Sequence, residues 1–204
     1  MNNLFLLVPL ICLLAVSSME ASSPQADRLK SVIDAAIKAV YGENGDELSL
    51  EEKQARVREV LESEYDLNVV IRRAIGRNWR LMNAQEQEKV LELVKKLLVK
   101  AYVNAMKGKS PPEVQLGKTI EITDKRIEIP STVEMDEQTY NVLYRLGKMP
   151  SGWQIYDIVA EDISVVANYR QQIDDHFRKG DGQDLINKLK ELLNKEEIDE
   201  EIQL

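Results

Sequence analysis

The chain has 204 residues, 44% hydrophobic and 30% charged, with 35 acidic side chains against 27 Lys and Arg and a net charge of -8. That balance argues against nucleic acid as a partner and against standing adhesion to an anionic lipid surface, although interspersed Lys and Arg leave local basic patches open. One cysteine and one histidine exclude a disulfide scaffold and any metal centre built from several of either.

Leu4 to Val16 is an apolar run of thirteen residues. It is short for a bilayer span, which takes about 20 residues, and suits the hydrophobic region of a secretory signal. Small residues follow at Ala15, Ser17, Ser18, Ala21, Ser22 and Ser23, so residues 1–21 read as a cleaved signal with the cut within 17–23. Only Met1-Asn2-Asn3 precede the run; a start further upstream would supply the missing basic residues. Cys12 follows Leu10-Ile11 and lacks the small neighbour that lipid attachment requires, leaving a mature chain without cysteine. Residues 22–194 then form one domain held together by its core, and 195–204 a charged tail.

The first half of the mature chain, about 24–108, reads as helix. Leu29, Val32, Ile33, Ala36, Ile37 and Val40 keep helical spacing up to the Tyr41-Gly42 break. Ser49 and Glu52 form a capping box for a second helix. A third helix runs from about Leu67 to Ile75 and breaks at Gly76. Asn83 and Glu86 open a long fourth helix with Val90, Leu91, Val94, Leu97, Leu98, Ala101, Tyr102 and Ala105 on a broad face, ended by Lys107-Gly108-Lys109-Ser110-Pro111-Pro112.

The period changes over about 113–194. Thr119–Ile122, Ser131–Met135, Thr139–Leu146 and Trp153–Ala160 read as four strands joined by short polar turns, hence antiparallel. Alternation in the last puts Trp153, Ile155, Asp157 and Val159 on one face. A helix from about Asp162 to Gly180 carries an apolar stripe of Ile163, Val166, Ala167, Ile173 and Phe177 with Arg170 inside it. A lone charge on each apolar face is costly, so Asp157 and Arg170 read as a structural ion pair, with Arg80 as the other candidate partner. Leu185, Ile186, Leu189, Leu192 and Leu193 mark a last helix. The layout is α+β, a curved antiparallel sheet of about four strands packed with helices, plus a helical subdomain.

Between such a sheet and its helices lies a concave space. Val90, Val94, Leu97 and Leu98 from the long helix and Val142 and Tyr144 from the third strand are its candidate lining. They read either as mutually packed core or as a pocket for flexible acyl chains, whose burial contributes about 0.8 kcal/mol per methylene.

Trp153-Gln154-Ile155-Tyr156-Asp157-Ile158, followed by Ser164 and Asn168-Tyr169-Arg170, resembles the C-terminal signature of the MlaC (toluene-tolerance auxiliary) family. Ile75-Gly76-Arg77-Asn78-Trp79-Arg80 with Asn83-Ala84-Gln85-Glu86-Gln87 resembles a second family motif. The likeness covers roughly Gln25 to Leu193. It implies an NTF2-like sheet and a cavity holding phospholipid tails, with Trp79, Val90, Val94, Leu97, Leu98, Tyr102, Val142, Tyr144, Ile155 and Val166 as pocket candidates. It also implies a monomeric periplasmic carrier. Its partners are an inner-membrane ABC transporter with a ring of MCE domains and an outer-membrane lipoprotein complex. Val90 and Val94 depart from the phenylalanines usual in the family, which opens a second ligand class, a rigid hopanoid-like lipid. Trp79 and Arg80 read either as a helix-turn anchor or as the pocket mouth with Arg80 near a headgroup phosphate.

No catalytic residue is expected. His176 stands beside Asp174 and Asp175 with no second histidine to share a metal, and the chain carries no G-x-S-x-G or phosphate-cradling glycine loop. The competing class is a small ketosteroid-isomerase-like enzyme, with Asp157 as a desolvated general base. No cofactor and no metal are called for in either reading.

Overall fold

The computed structural model describes residues 22–42 and 44–195. The expected signal sequence, Cys12 and the tail beyond Lys195 lie outside the described residues. Helices α1 (Pro24–Tyr41), α2 (Leu50–Glu64), α3 (Leu67–Ile75) and α4 (Ala84–Ala105) come first. Strands β1 (Glu113–Leu116), β2 (Ile120–Thr123), β3 (Arg126–Met135), β4 (Gln138–Met149), β5 (Gly152–Ala160) and β6 (Ile163–Ser164) follow, and α5 (Val165–His176) and α6 (Gly182–Asn194) close the domain. The fold is α+β with one antiparallel sheet in the order β1-β3-β4-β5-β6, β2 also pairing with β3.

Local signals set the helix ends. Ser49 with Glu52 and Asn83 with Glu86 each close a full capping box. Asp181 and Asp184 do the same for α6. Gly76 ends α3 at φ 61, a conformation that favours glycine, and a Cβ there would meet Arg170 Nε at 3.3 Å and press that side chain aside by a few tenths of an ångström.

Six strands stand where about four were expected. Strand β3 begins at Arg126 because Pro130 stays within its ladder with β4, and β1 is a four-residue edge piece just after Pro111-Pro112. Two hairpins turn on non-glycine pairs with positive φ: Asp136-Glu137 at 50 and 65, and Glu161-Asp162 at 46 and 65. Both are two-residue loops that match strand twist, a geometry usually signalled by Asn-Gly or Asp-Gly. The second makes Ile163 a strand residue, 59% exposed, so α5 begins two residues later than the apolar stripe suggested.

The strict alternation expected in β5 is also broken. Arg145 pairs with Asp157 but Leu146 pairs with Ile155, leaving Tyr156 as the extra residue of a β-bulge. Trp153, Ile155 and Ile158 therefore share the face of Leu146 and Tyr144, while Asp157 and Val159 share the face of Arg145 and Leu143. Asp157 lies opposite Ile155, not beside it.

Three apolar clusters hold the domain. Leu29 and Val32 of α1 with Tyr65 cover Ile127, Ile129 and Leu146 on one sheet face. Val40, Val57, Val99 and Val103 join α1, α2 and α4. The largest cluster gathers Ile71, Ile75, Val90, Leu93, Leu97, Ile173, Leu185 and Leu189 from α3, α4, α5 and α6.

Candidate functional site

The motif segments meet at the junction of β5, α3 and α5. Asp157, only 6% exposed, accepts from Arg145 Nη1 at 3.1 Å, from Ser164 Oγ at 2.8 Å and from the Val166 backbone N–H at 3.2 Å. Arg145 also donates from Nε to Glu128 at 2.9 Å. Burial works against the Arg145 cation, but the bonds to Glu128 and Asp157 outweigh it and raise its pKa. Ser164 in turn accepts from Ala167 N–H at 3.0 Å as the N-cap of α5. The carboxylate thus joins a strand to the positive end of a helix.

The expected Asp157–Arg170 pair does not form. Arg170 Nε donates to the Arg73 backbone carbonyl at 3.0 Å, satisfying a group at the C-terminus of α3. The bulge explains the difference, because it turns Asp157 onto the face of Arg145. The general-base reading also loses its geometry. Asp157 has its acceptor sites taken up by guanidinium, hydroxyl and backbone N–H, and it lies on the face opposite Tyr144 and Ile158. His176 ends α5 and contacts the Asp181 carbonyl at 3.1 Å. Among the described residues no group of three or more His, Cys, Asp or Glu could hold a metal ion.

The ten pocket candidates do not converge on one space. Val94, Leu97, Leu98 and Val166 line a crevice between α3, α4, α5 and α6. Its other walls are Val70, Ile71, Ala74, Ile75, Val165, Tyr169, Ile173 and Leu189. Every lining side chain but Tyr169 is a hydrocarbon. The free volume is about 60 Å3, well below the roughly 300–1,000 Å3 of an ordinary small-molecule site. Val90 is fully buried in the adjoining core, and Trp79 packs at the edge of that core beneath Arg72, 4.9 Å from its ring centroid. The two valines that depart from the family thus differ: Val94 faces the crevice and Val90 does not. Tyr144 and Ile155 belong to the core under α1, and Tyr102 to the core between α1, α2 and α4. Val142 borders an open groove of about 340 Å3 on the sheet with Pro130, Leu143 and Val159. Arg80 is exposed on the turn after α3.

The sequence reading missed the α3 wall of the crevice, Val70, Ile71, Ala74 and Ile75. Their spacing of three and four is helical and was the available signal. What it lacked was a sign that α3, not the sheet, faces α4 across the gap.

Burial raises the Tyr144 phenol to about 12, and Tyr102 is pushed up as well, by burial first and then by the nearby Tyr144 and Tyr41. A phenol whose folded pKa exceeds its unfolded value of 10 stabilises the fold fully below pH 10 and loses that contribution as pH rises through 12. For Tyr144 this is about 2–3 kcal/mol. Thermal melts taken from neutral pH to pH 12 should show stability falling above pH 10, with a shallower fall in Tyr144→Phe. An unchanged slope in that variant would show that Tyr144 titrates normally.

The same architecture occurs in a solved structure. A phospholipid-binding protein from Ralstonia solanacearum, determined in complex with a phospholipid, aligns with a TM-score of 0.73 over 83% of this chain and 98% of its own, at 22% identity. Among curated protein sequences none matches the chain. The family model described as MlaC protein matches residues 30–191, and the chain belongs to the MlaC family.

Proposed function

We propose that this protein is a phospholipid carrier which holds acyl chains between α3, α4, α5 and α6. The observation that carries the reading is the crevice itself: hydrocarbon side chains from four helices face one another around a gap, beside a buried polar cluster that fixes one wall. Family membership and the phospholipid bound by a protein of the same fold support it. The gap is narrower than an acyl chain needs, so loading would move helices apart and exchange their aliphatic contacts for contacts with lipid methylenes. Binding and release without turnover is the mechanism. The protein would work in the periplasm after loss of residues 1–21. There it would exchange lipid with an inner-membrane ABC transporter bearing an MCE-domain ring and with an outer-membrane lipoprotein complex.

Native protein purified without detergent, extracted with organic solvent and analysed by mass spectrometry should yield phospholipid in a fixed molar ratio to protein. Recovery of a polycyclic hopanoid-like lipid, or of no lipid, would reject phospholipid as the cargo.

A further inference from the structure

Basic residues concentrate where α3 ends. Arg72, Arg73, Arg77 and Arg80 fall within nine residues and are all exposed, in a chain of net charge -8. Arg72 lies over Trp79, and Arg73 lies over Tyr156 at 4.6 Å from the ring centroid. Arg77 has 78% of its side chain in solvent, and its Asp174 partner at 3.4 Å also takes the amide of Asn78 at 2.6 Å. Next to Arg80, Leu81 is 65% exposed, more than any other large hydrophobic residue in the described chain. Helix C-terminal capping accounts for Arg170 and fits Arg72 and Arg73, which sit in the last turn of α3. It does not account for Arg77, Arg80 and an exposed leucine beyond the helix end.

We infer that this turn is a membrane-docking face that sets the protein on a bilayer carrying anionic phospholipid. Leu81 and the edge of Trp79 enter the headgroup region while the guanidinium groups meet lipid phosphates. An arginine cluster around a tryptophan and an exposed leucine is the composition of an interfacial segment, and it fits a lipid surface better than a purely acidic protein face, which would leave Leu81 unused. The overall negative charge does not forbid this, because at physiological salt charges more than about 8 Å away are largely screened. It makes the contact weak and reversible. The face also adjoins the crevice, since Ala74 and Ile75 line it from the same helix end and Tyr169 precedes Arg170. The docking does not rest on the carrier reading, and the two can fail separately.

The test is co-sedimentation of the full mature chain with phosphatidylcholine vesicles with and without phosphatidylglycerol, at low and high salt. The wild type should bind the anionic vesicles, lose them at high salt and ignore the neutral ones. Binding should fall at least about tenfold in Arg77→Glu/Arg80→Glu, since each arginine near an anionic surface contributes close to a factor of five. It should also fall in Leu81→Asp. The exposed α6 pair Lys188→Glu/Lys190→Glu changes the net charge equally and should bind as the wild type does. Lipid content after extraction, measured on the same variants, reports the cargo site independently. Absence of wild-type binding to anionic vesicles, as expected if the face served an acidic protein, overturns the inference. So does equal loss in the α6 control, or full binding in the Arg77→Glu/Arg80→Glu variant.

Discussion

Asp157→Ala is expected to destabilise the domain by about 3–5 kcal/mol, the cost of removing one partner from a buried, fully bonded charge cluster. The substitution leaves Arg145 with only Glu128, and it strips Ser164 Oγ and the Val166 N–H of their acceptor. A double-mutant cycle makes the result specific. Asp157→Ala with Arg145→Ala should show a coupling of about 1–3 kcal/mol, because the two side chains touch. Asp157→Ala with Arg170→Met should be additive within about 0.5 kcal/mol, because Arg170 bonds the Arg73 carbonyl instead. Urea titrations of the wild type and the five variants, three single and two double, provide the measurement. Additivity in the first cycle would show that the carboxylate is held by Ser164 and the helix end alone.

Leu98→Asp is expected to abolish lipid retention. An acyl chain laid against an ionised carboxylate must strip its water, at a cost of several kcal/mol, which is a hundredfold loss of affinity or more. The control is Leu143→Asp on the open sheet groove, which should keep its lipid. Lipid per mole of protein after extraction is the readout, with circular dichroism melts to show that both variants fold. Equal retention in the two variants would move the cargo out of the four-helix crevice.

Helices were the legible part of the chain. The Ser49 and Asn83 capping boxes and the Gly76 break lie where the residues announced them, because caps are local chemistry. Strands were legible where alternation was unbroken and less so elsewhere. A proline inside a ladder concealed the start of β3, and an Asp-Glu and a Glu-Asp turn made hairpins without glycine. The bulge at Tyr156 had the largest consequence. One inserted residue changes which face every later side chain occupies, and it moved Asp157 from an apparent partnership with Arg170 to a real one with Arg145. The crevice was half legible. Val94, Leu97, Leu98 and Val166 were marked by their spacing, but spacing does not tell which neighbour a face meets, and Tyr102, Tyr144 and Ile155 pack into other cores.

The helices around the crevice fall into two jaws. Asn78 to Asp174, with Arg170 to the Arg73 carbonyl, rivets α3 and the turn after it to α5, while Lys100 to the Leu193 carbonyl helps fasten α4 to α6. Between the jaws the lining is aliphatic, with Val70 and Ala74 on one side and Val94 and Leu98 on the other. Chain continuity at the front passes through the short turn of residues 76–83, whose Trp79 and Met82 carbonyls are gripped by Gln87. Opening such a mouth would shear grease past grease, at a cost set by exposed hydrocarbon area, and that area is returned as soon as a tail slides in. Cargo would thus act as the wedge and as the refund, and an empty molecule would snap shut without help.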